Sequence, residues 1–337
     1  MAFFRTILIH LRRQWFSLAM LALLGAAWAW PEGGDRLNPD RVASNTAVVL
    51  IFFLTGLTLR SDQLVRGLRR WRAHLLVQFI GFLVLPAACW FLLVPLRERL
   101  PEGLVYGFYL LAVLPTTISS SVVLTQMAGG RTAVAVFNAV GGNLAGVIVS
   151  PALFMVMSGA DGGSGGLDLD ALAVFARLAR LIIAPMAFGQ VVHWVAAGWP
   201  ARFSRAATRM NAVCVLVIVY MAFCAVMAGH ATDSYRLGDM LWLAALVPAH
   251  LAVLGLVAVT GRLAVHDRKD RIAILFCASQ KTLGLGLPLI AACLSDHPEL
   301  IGPASLPLIV YHPLQLVVAG VLVARFRCGR GRPAPGL

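Results

Sequence analysis

The stretch Phe276-Cys277-Ala278-Ser279-Gln280-Lys281-Thr282-Leu283-Gly284-Leu285-Gly286-Leu287-Pro288 lies inside an apolar segment that runs from about Ile272 to Leu294. A segment of roughly 20 apolar residues is long enough to cross a bilayer. Its centre nevertheless holds Lys281, one of only two lysines in the chain, and a charge at that depth costs about 2.5–3.5 kcal/mol. A polar centre interrupted by Gly and Pro predicts a broken helix that lines a cavity. The plainer alternative is a continuous, kinked helix whose lysine pairs with a neighbour.

The composition predicts a polytopic membrane protein with the lipid bilayer as its surroundings. Of the 337 residues, 59% are hydrophobic and 13% are charged, whereas a soluble domain carries about 25% charged residues. The net charge of +13 comes largely from arginines in short loops, where they set topology, and we expect no nucleic-acid partner. The six cysteines include no Cys-x-x-Cys pair, which favours buried apolar packing over a metal site or disulfides.

Continuous hydrophobicity that ends in charge, Gly or Pro predicts ten membrane spans. They are Trp15–Trp30, Val42–Leu59, Ala73–Leu96, Leu104–Met127, Ala133–Met157, Leu172–Ala197, Met210–Ala228, Met240–Thr260, Ile272–Leu294 and Pro303–Val323. With these spans, 20 Lys and Arg residues fall in loops on one side and 5 on the other. This asymmetry predicts a multi-pass protein of the cell inner membrane with both termini in the cytoplasm.

Ten spans divide into two sets of five, residues 1–160 and residues 161–337. An odd number of spans in each half forces the two halves into opposite orientations. Span four holds the polar stretch Leu114-Pro115-Thr116-Thr117-Ile118-Ser119-Ser120-Ser121, and span nine holds the stretch around Lys281. Interrupted segments at matching positions of two halves indicate a transport site between them. The sequence therefore predicts an all-α polytopic protein of two inverted five-helix repeats, joined by Ser158–Asp170, with broken helices four and nine crossing at the site.

A helix break supplies the chemistry of such a site because it exposes backbone groups that have no intrahelical partner. Free carbonyls can hold a cation, and free N–H groups can hold a carboxylate or a phosphate. For an isolated Ser or Thr, a bond to its own helix is the commoner role, but the polar residues at these breaks are clustered. The candidate substrate- or ion-binding residues are Gln78, Thr116, Thr117, Ser119, Ser120, Ser121, Asn138, Asn143, Ser279, Gln280, Lys281 and Thr282.

Two classes of function are disfavoured. No predicted span has an Asp or Glu in its interior, which excludes the simplest carboxylate proton relay. His250 and His312 lie within spans and are candidate proton carriers, with a structural role as the alternative. The chain has no P-loop, no His-Glu-x-x-His and no Gly-x-Ser-x-Gly, so we expect neither an enzyme nor an ATP-driven pump. We expect no resident cofactor and no metal site.

At these segments the chain resembles the bile acid:sodium symporter superfamily, and most closely its SBF-like branch. The matching words are Leu114 to Val122, Asn143 with Ser150-Pro151, Phe276 to Leu283 with Gly286-Leu287-Pro288, and Gln78-Phe79. The similarity in length and span count extends over nearly the whole chain. It implies ten spans in two inverted repeats, arranged as a panel domain and a core domain that holds the crossed helices. Well-studied members of the family bind two sodium ions behind that crossing and carry bile acids or other organic anions.

The resemblance also implies roles for individual residues. Ser120 and Ser121 match sodium ligands on span four, Asn143 matches a ligand position on span five, and Gln78 matches one on span three. The chain departs from the family on span nine, where the sodium-binding Glu falls at Cys277 and a Gln ligand falls at Lys281. Loss of the carboxylate and gain of an ammonium should weaken or abolish one sodium site, so sodium is a doubtful partner.

The leading hypothesis is a secondary transporter of a small organic anion. If helix-end carbonyls keep Lys281 charged, its ammonium substitutes for a sodium ion; if burial drives off the proton, Lys281 can carry protons and couple transport to a pH gradient. The alternatives are an uncoupled solute carrier or channel and a non-transporting membrane regulator or scaffold. The sequence leaves the substrate, the coupling ion and the oligomeric state open.

Overall fold

The computed structural model describes residues 15–58, 70–159, 171–195, 201–228 and 237–328, and every regular element within these ranges is a helix. The first half contains α1 (Trp15–Ala29), a short helix (Gly33–Leu37), a 3₁₀ turn (Pro39–Arg41), α2 (Val42–Thr58), α3, α4 (Glu102–Val113), α5 (Ser119–Met127) and α6 (Thr132–Gly159). Helix α3 consists of Trp71–Phe79, a π-helical turn at Ile80–Val84, Leu85–Leu93 and a 3₁₀ end at Val94–Arg99. The predicted joint between the halves, Ser158–Asp170, lies largely outside the described residues.

The second half begins with α7, which consists of Ala171–Leu178, a π-helical turn at Ala179–Ile183 and Ala184–Val195. It continues with α8 (Ala201–Ala228), α9 (Leu237–Ala244), α10 (Leu246–Ala264), α11 (Arg268–Ser279), α12 (Leu283–Cys293) and α13 (Pro298–Cys328). Helix α13 begins five residues before the predicted start of span ten and runs through Pro303, Pro307 and Pro313 without interruption. Pro303, where span ten was predicted to begin, therefore lies inside this helix and does not mark its start.

Eight helical segments within the described ranges are long and apolar enough to cross a membrane. The all-helical, multi-pass architecture predicted from the sequence is therefore confirmed. The predicted spans one and four are not among the eight: α1 is described over 15 residues, and the fourth segment is divided into α4 and α5. The count of ten spans and the inverted orientation of the two halves stay predictions.

Helices α2 and α7 pack at backbone distance because each presents a glycine to the other. A Cβ at Gly56 would lie 2.0 Å from the carbonyl oxygen of Met186, and a Cβ at Gly189 would lie 2.2 Å from that of Phe53. Any side chain larger than hydrogen would therefore push the two helices apart. Small residues at such crossings are typical of membrane proteins, where close van der Waals packing drives helix association.

The broken segment formed by α11 and α12 lies at the centre of the molecule. Over Arg268–Cys293, 94% of the apolar window is buried, against 11–50% in the other seven candidate spans. Its leucines contribute to the largest hydrophobic cluster together with residues of α4 and α13. This position places the interruption between α11 and α12 away from lipid and surrounded by protein, where non-helical backbone is tolerated.

Candidate functional site

Two helix breaks meet at the centre of the structure. Helix α4 ends at Val113 and α5 begins at Ser119, while α11 ends at Ser279 and α12 begins at Leu283. The first break follows from Pro115, which has no N–H and restricts the preceding residue to extended backbone. The two breaks are bonded directly, because the N–H of Thr282 donates to the carbonyl oxygen of Pro115 at 3.0 Å. The alternative of a continuous, kinked helix around Lys281 is therefore wrong.

The ammonium of Lys281 lies at the carboxyl end of α4. Its Nζ donates to the carbonyl oxygens of Ala112 and Leu114, both at 2.7 Å, and the side chain is only 4% exposed. Nζ also lies 3.4 Å from the carbonyl oxygen of Gly81, in the π-helical turn of α3. Carbonyls at a helix end carry partial negative charge. This arrangement places a basic group where a helix terminus favours a cation.

The five backbone carbonyls of residues 112 to 116, at the end of α4 and the start of the first break, each have a donor from another element. In order, the carbonyl oxygens of residues 112 to 116 accept from Lys281 Nζ (2.7 Å), Ser150 Oγ (2.7 Å), Lys281 Nζ (2.7 Å), Thr282 N (3.0 Å) and Asn143 Nδ2 (2.8 Å). A buried carbonyl without a partner would cost about 1–3 kcal/mol. The protein's own donors therefore satisfy this break without a bound cation.

Gln280 joins the side chains of the two breaks. Its Oε1 lies 3.0 Å from the hydroxyl oxygens of Thr117 and Ser120, and Thr117 Oγ1 also accepts the N–H of Ser121 at 3.0 Å. Within the described part of the chain, Gln280 Nε2 and Thr116 Oγ1 are buried without a hydrogen-bond partner. These two atoms are thus available to a water molecule or a ligand.

Some predicted site residues instead bond to their own helix. The hydroxyl of Ser121 donates to the carbonyl oxygen of Thr117, and that of Ser279 donates to the carbonyl oxygen of Leu275 at 2.6 Å. Ser119 is exposed. For Ser121 and Ser279, the bonds match the commoner role of hydroxyls in membrane helices.

Helices α3 and α6 contribute a polar chain beside the breaks. Gln78 Nε2 donates to Asn138 Oδ1 at 3.2 Å, and Asn138 Nδ2 lies 2.9 Å from His74 Nδ1 and 2.9 Å from the carbonyl oxygen of Val134. Because the Asn138 amide nitrogen is the donor, His74 Nδ1 is the acceptor in that pair. Asn138 therefore holds Gln78 in place, and Gln78 lines a cavity that Lys281 also lines.

A small cavity adjoins the Lys281 side chain. Its lining includes Gln78, Gly81, Thr116, Gln280 and Lys281, and its volume is about 10 Å³. That volume is at the lower limit for one water molecule, so this conformation leaves no room there for an organic anion. Lys281 lines this cavity, whereas Ser120 and Ser121 do not.

Helix α13 supports the second break through a residue that the sequence analysis missed. Gln315 Oε1 accepts the N–H of Lys281 at 2.7 Å, while its Nε2 donates to the carbonyl oxygen of Lys281 at 2.8 Å and lies 3.0 Å from His312 Nδ1. The signal for this role was a glutamine in an apolar span, three residues after His312 and therefore on the same helix face.

The other predicted proton carrier, His250, lies in a related chain. His250 Nδ1 is 2.8 Å from the hydroxyl oxygen of Tyr311, which donates to the carbonyl oxygen of Ser279 at 3.0 Å. Since that hydroxyl has one hydrogen, His250 Nδ1 carries the proton in its bond to Tyr311. Both candidate histidines therefore contact the support of the α11–α12 break, His250 through Tyr311 and His312 through Gln315.

The loop end of α11 carries a cluster of ion pairs. Arg131 bonds the carboxylates of Asp267 and Asp270, and Arg70 lies 3.4 Å from Asp270, which is 1% exposed. The hydrogen bond with Asp270 raises the pKa of Arg131 above its ordinary value. The N–H of Lys269, followed by the Arg131 side chain, lowers the pKa of Asp267. These contacts fix the start of the broken segment to the start of α6.

No group of three or more His, Cys, Asp or Glu side chains that could hold a metal ion is present in the described ranges. At the position where the resemblance placed a carboxylate, Cys277 contributes a buried thiol 4.0 Å from the carbonyl oxygen of Ala135. The residues around Lys281 therefore do not fit the sodium site that the resemblance implied there, since the ammonium already takes two of the carbonyls.

Comparison with known proteins identifies the family. A model of the SBF-like CPA transporter family matches residues 14–328. Sodium/bile acid cotransporter 7 of Mus musculus is 30% identical over 318 residues, covering 93% of this chain and 92% of that protein. An uncharacterised protein of Pseudomonas aeruginosa is 30% identical over 324 residues, covering 96% and 95%. Sodium/bile acid cotransporter 7 of Danio rerio is 27% identical over 323 residues, covering 94% of both chains.

The family match extends over nearly the whole chain and includes both helix breaks. It confirms the resemblance stated from the motifs, and it confirms the expectation of a multi-pass transporter with a small-molecule substrate rather than an enzyme. The chain belongs to the SBF-like CPA transporter family.

Proposed function

We propose that the protein is a secondary active transporter of a small organic anion, with Lys281 as the basic group of its transport site. The observation that carries this proposal is the position of the Lys281 ammonium, bonded to Ala112 and Leu114 where two interrupted helices meet. Buried positive charge at such a crossing favours an anionic substrate. The candidate site comprises the twelve residues named from the sequence, now joined by Gln315.

The proposed anion site has donors as well as charge. Helices α5 and α12 both begin at the crossing, and their first N–H groups favour negative charge. Gln280 Nε2 is a buried donor without a partner among the described residues. Because the cavity beside it is only about 10 Å³, the substrate enters only after the surrounding helices separate.

The proposed architecture has ten spans in two inverted repeats, residues 1–160 and 161–337, in the inner membrane with both termini in the cytoplasm. Its support is that interrupted helices occur at the fourth position of each predicted half. The 20-to-5 distribution of Lys and Arg residues across the loops supports the orientation.

The bonds of the first break support sodium independence at this site. The relatives from Mus musculus and Danio rerio carry the name sodium/bile acid cotransporter. In this chain a sodium ion held by the carbonyls of Ala112 and Leu114 would have to displace the Lys281 ammonium. We therefore propose that Lys281 substitutes for one sodium ion, and that transport is coupled to protons or uncoupled.

The small size of the cavity favours one alternative, a membrane regulator or scaffold that keeps the fold without transporting. The test begins with a thermal-shift screen of small organic anions, with and without sodium, on the purified protein. A stabilising anion is then used for uptake into proteoliposomes under a sodium gradient, a pH gradient, or neither.

We expect saturable uptake of that anion that does not depend on sodium. Binding without uptake would favour the regulator, and flux that does not saturate would favour a channel. Uptake that requires sodium would contradict the proposal that transport is coupled to protons or uncoupled.

A further inference from the structure

A second cavity, separate from the Lys281 site, lies at the loop end of α3. Its volume is about 280 Å³, close to the lower end of the range of small-molecule sites, about 300 Å³. The lining residues are Arg70, Trp71, Arg72 and Ala73 from the start of α3, and Ala264, Val265, His266, Asp267 and Asp270 from the turn between α10 and α11. The proposed function uses none of these side chains.

The cavity lining and the adjacent Arg131 together carry an excess of positive charge. Asp267 and Asp270 are both bonded by Arg131, and Arg70 adds a second contact to Asp270 at 3.4 Å. The lining thus holds two arginines and two carboxylates, and Arg131, which is outside the lining, adds a third arginine to the same cluster. Among the described residues Arg72 takes part in no ion pair. The Arg72 guanidinium lies 5.4 Å from the centre of the Trp71 ring, which holds it at the exposed rim.

An exposed apolar face continues from this cavity along both neighbouring helices. On α3, Trp71, Leu75, Phe79 and Leu83 are 57%, 60%, 53% and 54% exposed, and a spacing of four places them along one face. On α10, Val259 and Leu263 are 54% and 80% exposed, and Leu263 directly precedes Ala264 in the lining. In a membrane protein, such a face contacts acyl chains, and a tryptophan at its end is typical of the headgroup level.

We propose that this cavity binds the phosphate headgroup of an anionic phospholipid whose acyl chains lie along the exposed face of α3 and α10. Arginine suits this ligand because its planar guanidinium can form two parallel bonds to a phosphate. A lipid fits better than a soluble phosphate because the positive cavity and the apolar face are continuous through Trp71 and Leu263. The one net positive charge of the lining and Arg131 together matches a headgroup with a single negative charge, such as phosphatidylglycerol.

A lipid in this cavity would contact the broken segment itself. Asp270 belongs to α11, whose other end at Ser279 precedes the break at Lys281. The bound lipid would therefore hold together the starts of α3 and α11 and the end of α10. This inference is independent of the proposed substrate and stands even if the protein does not transport.

The test is native mass spectrometry of the full-length protein in detergent, titrated with phosphatidylglycerol or phosphatidylcholine. We expect one saturable phosphatidylglycerol molecule and weaker, non-saturating binding of phosphatidylcholine. Arg72→Ala should weaken phosphatidylglycerol binding about fivefold, the factor expected for one arginine near an anionic headgroup. Arg262→Ala is the matched control, since Arg262 is exposed at the end of α10 and does not line the cavity; it should bind like the wild type.

Equal binding of the two lipids would overturn the proposal, as would equal effects of the two substitutions. A competition arm with glycerol phosphate separates a lipid from a soluble ligand. Displacement of phosphatidylglycerol by equimolar glycerol phosphate would show that the acyl chains contribute nothing and would overturn the lipid assignment. Because Arg72 is exposed, its substitution should leave the melting temperature of the lipid-free protein unchanged, and this measurement checks that the variant is folded.

Discussion

Gln315 bonds both backbone polar groups of Lys281: its Oε1 accepts the N–H at 2.7 Å and its Nε2 donates to the carbonyl oxygen at 2.8 Å. In a continuous helix these groups would bond within the helix, but the break leaves them without such partners. One side chain from α13 thus replaces two helical hydrogen bonds. It also fixes the direction in which the Lys281 side chain leaves the backbone.

Gln315→Leu should therefore destabilise the protein. The substitution leaves a buried N–H and a buried carbonyl without partners, and each costs about 1–3 kcal/mol. We expect a lower melting temperature in detergent. The melting temperature of Gln315→Glu should lie between those of the wild type and Gln315→Leu, because Glu keeps an acceptor for the N–H but loses the donor to the carbonyl.

The matched control is Gln126→Leu, at an exposed glutamine near the end of α5. It should melt like the wild type. If Gln315→Leu also melts like the wild type, the two bonds do not stabilise the break.

The pair formed by Arg131 and Asp270 should be strongly coupled. Asp270 is 1% exposed and Arg131 is 31% exposed. Removing one partner of a buried pair costs about 3–5 kcal/mol, and we expect about 3 kcal/mol for Asp270→Asn because Arg131 is partly solvated. In a double-mutant cycle, Arg131→Met combined with Asp270→Asn should cost less than the sum of the single changes.

An exposed pair provides the comparison. Arg36 and Glu32 are 69% and 73% exposed, and such pairs contribute about 0–1 kcal/mol. Arg36→Met should therefore change the free energy of unfolding little. Additive effects at Arg131 and Asp270 would mean that the cluster at the start of α11 is not a coupled unit.

The pKa of Asp267 predicts a pH dependence of stability. It is lowered in the folded protein by the N–H of Lys269 and then by Arg131, whereas in the unfolded chain it is about 4. The stabilisation is therefore complete above about pH 4 and is lost as the pH falls through the lower, folded-state pKa. Wild-type melting temperature should fall on acidification below pH 4 more steeply than that of Asp267→Asn, and identical slopes would contradict this contribution.

Both helix breaks could be predicted from the sequence, because their causes are local. Pro115 removes a donor and forces extended backbone before it. At the second break, a regular helix that faced lipid would expose the charge of Lys281, and the neighbouring glycines weaken the helix. The partners of each break could not be predicted, because they depend on how helices distant in sequence pack together. Gln315 is the clearest case, since a lone glutamine in a span has many possible partners. Ser120 and Ser121 adjoin the crossing, but the rotation of α5 decides that neither lines the small cavity.

The proposed orientation predicts that a reporter active only in the periplasm is silent when fused after Leu337. The 20-to-5 asymmetry of Lys and Arg residues is the physical reason, since basic loops are retained in the cytoplasm. The control is the same reporter inserted in the loop after Arg36, which lies on the side predicted to face the periplasm. Strong activity after Leu337 would contradict the ten-span arrangement.

Lys281→Met should abolish anion uptake while the protein still inserts and folds. Methionine keeps the apolar stem but removes the charge and the donors to Ala112 and Leu114, so a somewhat lower melting temperature is expected as well. The matched control is Lys269→Met, which changes the only other lysine, an exposed residue at the start of α11. Uptake by the wild type distinguishes two mechanisms. If Lys281 is permanently charged, uptake does not respond to a pH gradient. If Lys281 releases its proton, a pH gradient drives uptake without sodium. Wild-type uptake by Lys281→Met would contradict both mechanisms and would leave the lysine a purely structural donor to the end of α4.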